Sequence, residues 1–133
     1  MKKYQKVLFI ASVFGALAVI LGAFGAHGLK EVLNVESLNS YNTGIRYHFY
    51  HALILVGLAL LLKDRYSKWF YYSAIAFAVG IVLFSCSIYL LATREVIGLS
   101  NYKWLGPITP IGGVFFIIGW GLLGVGAVKG YDK

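Results

Sequence analysis

The chain has 133 residues, 59% of them apolar and only 13% charged, with a net charge of +7 at pH 7. A soluble domain carries about 25% charged residues, so this sequence lacks the polar surface that facing water requires, and its length suits a single domain. The lysines and arginines punctuate the apolar runs instead of clustering, which argues against a nucleic-acid-binding face and leaves the lipid bilayer as the medium.

Four apolar runs are long enough to consider as membrane helices, each needing about 20 residues. They cover roughly residues 7–28, 45–62, 69–92 and 105–128. The expected fold is all-α: a polytopic bundle of four transmembrane helices forming one membrane domain over residues 1–133. Closed backbone hydrogen bonding inside lipid leaves helices as the sensible build.

The first run follows Lys2, Lys3 and Lys6 and so resembles a secretory signal. No A-x-A cleavage site follows it and three more apolar runs do, so it reads as a span. On a helical wheel Ala11, Gly15, Ala18, Gly22, Gly25 and Ala26 share one face of it. Helices in lipid gain little from hydrophobicity alone, and small residues let two backbones approach. His27 ends this span and points away from the small-residue face, in line with Ile20 and Phe24.

The stretch from Leu29 to Gly44 holds LKEVLNVESL, with Leu29, Val32, Leu33 and Leu38 loosely at helical spacing. It reads either as a short amphipathic helix on the outer surface or as a solvated loop. The second run carries Arg46, Tyr47, His48 and His51 at its expected outer end. The spacing of three puts both histidines on one face, continued by Ala52, Leu55 and Ala59.

The third run contains a stripe of Ser73, Ala76, Gly80 and Ser87, and near its outer end Ser85, Ser87 and Tyr89. Arg94 follows it. The single cysteine, Cys86, excludes an internal disulfide and a CxxC pair, and reads as a structural thiol. The fourth run has Gly113, Gly121 and Gly124 on one side, and Gly112, Gly119 and Gly126 on the opposite side at intervals of seven. Close-packing faces on both sides of one helix point to a second neighbour, in a homo-oligomer or a partner membrane protein. Pro107 and Pro110 mark the start of this helix, or a broken entry of the kind transporters use.

Eight basic residues (Lys2, Lys3, Lys6, Lys63, Arg65, Lys68, Lys129 and Lys133) fall on one side of the four spans, and four (Lys30, Arg46, Arg94 and Lys103) on the other. The positive-inside rule then places both termini in the cytoplasm.

The runs GAFGAHGL (22–29), YHFYHAL (47–53), FSCSIYLL (84–91) and GPITPIGGVFFIIGW (106–120) together resemble the YwdK/YgdD group of small bacterial inner-membrane proteins, which has a mitochondrial transmembrane relative. Cys86 departs from the group's pattern, which has glycine there in an FSGSLY run. The resemblance covers nearly the whole chain. It implies four spans and a bacterial plasma-membrane address, and it implies no activity.

Ionisable groups at membrane depth are expensive, so their clustering marks a candidate site. Three readings follow for His27, Arg46, Tyr47, His48, His51, Ser85, Ser87, Tyr89 and Arg94. The histidines, if the GAHG segment left regular helix, would form a metal or haem site, imidazole being a ligand for zinc, copper and iron. A pocket of Arg46, His48, His51 and Arg94, lined by tyrosines, would take a lipid headgroup, quinone or ion. The third reading is structural, with the polar groups tying the outer loop to the bundle. No catalytic signature appears, and none of the five acids Glu31, Glu36, Asp64, Glu95 and Asp132 lies mid-span. A non-enzymatic accessory or assembly subunit is the leading expectation, and a binder or transporter of a small ligand the alternative.

Overall fold

The computed structural model describes all residues, 1–133, and is all-helical. Helix α1 covers Lys3–His27 and, after a 3-10 turn at Leu29–Glu31, α2 covers Val35–Asp64. The third span is composite: α3 at Lys68–Gly80, a π-helical segment at Ile81–Ser85, and α4 at Cys86–Ala92. A 3-10 turn at Lys103–Leu105 leads into α5, Ile108–Lys129. All four spans are long and apolar enough to cross a membrane.

The second span departs from the expectation set by hydropathy. Residues 35–44 are neither a separate surface helix nor a loop: they are the first turns of α2. Asn34 starts the helix by accepting a hydrogen bond from Ser37 N at 2.7 Å through its side chain. Nothing between Val35 and Ile45 breaks the backbone ladder. With 30 residues at about 1.5 Å each, α2 outruns a hydrocarbon layer of about 30 Å, so its polar first turns need not be greasy to be helical.

The helices are not arranged as a closed square. Helix α1 packs on α2, α3 packs on α5, and α2 joins the two pairs through α3, the π segment and α4. Helices α1 and α5 do not pack on each other, and α1 meets α3 only slightly. The main core forms where the middle of α2 (Leu55, Leu58, Ala59, Leu62) meets Val7 and Ala11 of α1 and Phe70, Phe77 and Ile81 of the third span. A smaller one joins Leu29, Tyr41, Tyr89 and Ala92.

The α3–α5 contact explains one glycine stripe. Phe70, Phe77 and Phe84 recur every seven residues on the third span and face Gly126, Gly119 and Gly112 in antiparallel register. A Cβ on Gly119 would lie 2.6 Å from the Phe77 ring, and one on Gly126 2.5 Å from the Phe70 ring. At Gly112 it would overlap the Phe84 backbone itself. Gly80 returns the pattern by making room for Phe116. Ser73 Oγ donates to Gly119 O at 2.6 Å across the same seam. The span-one glycines behave unequally: Gly25 accommodates the Tyr41 ring, Gly22 is in ordinary contact with Ile45, and Gly15 has open space.

Both terminal segments reach the α2–α3 turn, Lys3 through the Tyr66 hydroxyl and the C-terminus through Asp132. Asp132 N donates to Tyr66 O at 2.9 Å, and Asp132 Oδ1 accepts from Lys68 N at the start of α3 at 3.3 Å. Gly130, at φ 73°, ψ −152°, makes the turn that brings Asp132 there.

Candidate functional site

His48 and His51 do not begin the second span at an outer surface. Because α2 starts at Val35, they lie inside the assembly, level with Phe14 of α1, Phe77 of α3 and Phe116 of α5. Both are buried, His48 at 2% exposure. Their offset along the helix turns them to different neighbours.

His51 faces α3 and α5. Its ring stacks on Phe116 with centroids 3.8 Å apart and planes 9° from parallel. Nδ1 lies 2.6 Å from Tyr47 O, and Nε2 lies 3.2 Å from Trp120 Nε1. An indole N–H only donates and a carbonyl only accepts. Nε2 therefore carries the lone pair and Nδ1 the proton, which makes the ring a neutral imidazole with both nitrogens engaged.

His48 faces α1 and α4. Its Nδ1 bonds the Tyr89 hydroxyl at 2.8 Å, and the Phe14 ring stands edge-on to it with centroids 5.8 Å apart. Its Nε2 is buried and makes no hydrogen bond. An unpaired polar atom in an apolar interior is costly.

Other polar groups tie the same level together. Ser85 Oγ donates to Gly44 O at 3.0 Å, joining the π segment to α2. Ser87 Oγ donates to Phe84 O at 2.9 Å, so the 2.6 Å contact between Ser87 and Thr109 is a bond donated by Thr109. That bond joins α4 to α5. Tyr41 donates to Leu21 O at 2.5 Å and its ring lies against Tyr89. π segments concentrate at functional sites because the widened turn disturbs the regular ladder.

Of the sequence-derived candidates, Tyr47, His48, His51, Ser85, Ser87 and Tyr89 come together, and three do not. His27 is exposed at the end of α1. Arg46 lies on the outside of α2 and bonds Thr43 of its own helix at 2.9 Å. Arg94 belongs to the α4–α5 connection, where it donates to Leu91 O and covers the Tyr102 ring at 4.8 Å. The three histidines are therefore not brought together: His27 lies apart from His48 and His51. No three His, Cys, Asp or Glu side chains are grouped to hold an ion, and the His51 lone pair is already taken by Trp120.

Sequence reasoning missed the contributions of Tyr41, Gly44, Phe116 and Trp120. The matching seven-residue intervals of phenylalanine and glycine were a readable signal for the α3–α5 seam. The π segment had none, since IVLFS is ordinary apolar helix sequence.

Two cavities adjoin this layer on the α2–α5 side. One, of about 420 Å³, is bounded by Ser40 and Thr43 of α2, Ile88 and Leu91 of α4, and Thr109 and Pro110 of α5. The second, of about 430 Å³, is bounded by Tyr47, His51, Phe84, Phe116 and Trp120, and shares Pro110 with the first. Together they form a cleft that carries hydroxyl side chains at the end away from the chain termini and aromatic rings further in.

The family described as "Protein of unknown function (DUF423)" matches residues 21–113. The inner membrane protein YgdD of Escherichia coli K12 is 41% identical over 123 residues, covering 92% of this chain and 89% of that protein. The membrane protein YwdK of Bacillus subtilis is 43% identical over 134 residues, covering 94% of this chain and 98% of that protein. A Haemophilus influenzae membrane protein of the same UPF0382 group is 39% identical over 127 residues. No solved structure matches. The chain belongs to this DUF423/UPF0382 family of bacterial membrane proteins of unknown function.

Proposed function

We propose that this UPF0382 protein is a non-enzymatic subunit that assembles, with copies of itself or with a partner membrane protein, through the outward face of α5. The observation that carries this reading is the contrast between its two glycine stripes. Gly112, Gly119 and Gly126 are filled by Phe84, Phe77 and Phe70; of the other stripe, Gly113 is in ordinary contact with the Phe84 ring at 3.8 Å, while Gly121 and Gly124 have no atom within 4 Å of a Cβ position. Glycine in a helix costs about 1 kcal/mol relative to alanine, and lipid repays none of it. Within this chain each glycine of the filled stripe admits a neighbouring ring or backbone. The same chemistry on the open side suits a neighbouring helix from another chain. Ile117 and Val128, exposed at 71% and 88%, flank the open glycines. The expected orientation, with both termini in the cytoplasm, belongs to this same reading.

The test is mass determination in mild detergent together with crosslinking in native membranes. The wild type is expected as an oligomer or a defined complex. Gly121→Leu and Gly124→Leu are expected to yield folded monomers, since neither side chain meets anything within the chain. A wild type that is monomeric and partner-free in both measurements sinks the proposal.

The α2–α5 cleft supports a second reading, a binder or transporter of a small amphipathic ligand. Its volume falls in the range of ligand pockets, and its lining, mostly apolar with a few placed polar groups, is of the usual kind. His51→Ala would then empty the purified protein of a co-purifying small molecule. Unchanged content in that variant counts against this reading.

A further inference from the structure

A different feature lies on the opposite side of the molecule. Helices α1 and α3 both pack on α2 and scarcely touch each other. The space between them is a groove formed by two adjoining cavities of about 260 and 430 Å³, which share Ile10, Ala78 and Val79. Leu55 of α2 lies at the first of them. Phe14 and Leu83 bound the inner end, where the lining is entirely apolar. Along α1 the groove runs from Lys6 to Phe14, a rise of about 12 Å.

The mouth is different in character. Lys6 and Tyr71 line it. Lys3 is one turn before Lys6 and so on the same helical face. Its Nζ lies 4.5 Å from the Tyr66 ring centroid and 4.7 Å from that of Tyr71, with the Tyr66 hydroxyl at 3.4 Å. Its one hydrogen bond is to that neutral hydroxyl, and the rings are neutral too, so its charge is not cancelled. No carboxylate lines either cavity. Asp132, an acid at this end of the molecule, is occupied with the start of α3.

Two cations with tyrosines at the membrane surface, opening onto a purely apolar groove, complement an anionic headgroup attached to a hydrocarbon chain. We propose that this groove binds one anionic phospholipid from the leaflet on the terminal side, its phosphate between Lys3 and Lys6 and one acyl chain along the groove towards Phe14. Any apolar helix face meets acyl chains. This one differs in being a recess between helices rather than a convex face, and in carrying its charge at one end. Basic pockets between membrane helices select anionic headgroups by this arrangement. The site is independent of the α5 face and of the α2–α5 cleft.

The experiment is native mass spectrometry of the full chain in mild detergent, with equimolar phosphatidylglycerol and phosphatidylcholine. The wild type is expected to retain one phosphatidylglycerol in preference to phosphatidylcholine. Lys3→Ala and Lys6→Ala are each expected to lower that preference about fivefold. Lys63→Ala and Lys129→Ala, at the same end of the molecule but away from the Lys3–Lys6 face of α1, are expected to leave it unchanged. Ala78→Phe, which fills the shared part of the groove, is expected to lower retention of both lipids while circular dichroism stays helical. If that variant misfolds, the four exposed lysine variants still decide the question. Equal retention of the two lipids by the wild type overturns the site. So does an equal loss in all four lysine variants, which would mean diffuse surface charge.

Discussion

The backbone of Phe84 passes Gly112 so closely that a single methyl group on the glycine would overlap it. Here α5 touches the π segment main chain to main chain, and no side-chain rotation relieves the clash.

Gly112→Ala is therefore expected to destabilise the protein by about 1–3 kcal/mol, as overpacking does. Gly121→Ala and Gly124→Ala are expected to be neutral within the monomer, or to gain up to about 1 kcal/mol from helix propensity. Thermal unfolding in detergent, followed by circular dichroism, compares the three. Equal behaviour would remove the distinction between the two stripes.

Trp120→Phe leaves His51 Nε2 without its donor, at an expected cost of about 1–3 kcal/mol for the orphaned buried acceptor. His51→Phe keeps a ring against Phe116 while removing that acceptor. Adding it to Trp120→Phe is expected to cost less than the sum of the two single changes. Denaturant unfolding of the four proteins gives the coupling. Strict additivity would show that the 3.2 Å contact contributes nothing.

Tyr89→Phe removes the single hydrogen bond that His48 makes, and is expected to destabilise by about 1–3 kcal/mol. His48→Phe removes a ring that already carries one unpaired nitrogen, and is expected to be much milder, even with Tyr89 losing its partner. A His48→Phe loss as large as that of Tyr89→Phe would show that Nε2 is satisfied in the membrane, by water or a ligand.

Gly130 has φ 73° and ψ −152°, a region essentially closed to residues with a Cβ. Gly130→Ala is expected to cost about 1–3 kcal/mol of local stability and to release Tyr131 and Asp132 from the α2–α3 turn. Faster C-terminal proteolysis, with the four spans intact, is the expected result. An unchanged cleavage rate would place the tether elsewhere.

The sequence made the four spans legible because hydropathy reports directly on contact with lipid. It also made the small-residue faces legible, since a helical wheel needs only the period of 3.6. The depth of His48 and His51 was not legible. Their level depends on where α2 starts, and that is set by the Asn34 cap and by polar turns that hydropathy scores as loop. The partners of each ring were hidden for a related reason. Which residues of α5 lie level with His51 depends on the Phe77–Gly119 register, a relation between two other spans. Arg46 and Arg94 lie near the histidines in sequence or by expected level, yet long cationic side chains reach back to local oxygens or aromatic rings instead of entering the interior.

The π segment has a consequence for how one span serves two neighbours. Such a segment accommodates an extra residue within a helix, and one residue is about 100° of helical rotation. Everything after Ser85 is turned by that amount from where an unbroken helix would aim it. The first half of the span can then set Phe70 and Phe77 between α5 and the middle of α2, while its second half still brings Tyr89 to His48 on α2 and Ser87 to Thr109 on α5. Removing a single residue between Ile81 and Ser85 would rotate Ser87 away from Thr109, and Tyr89 and Ala92 out of the smaller core, without changing one of their identities. In a comparison of related chains, that interval is where a one-residue gap would carry more structural meaning than many substitutions.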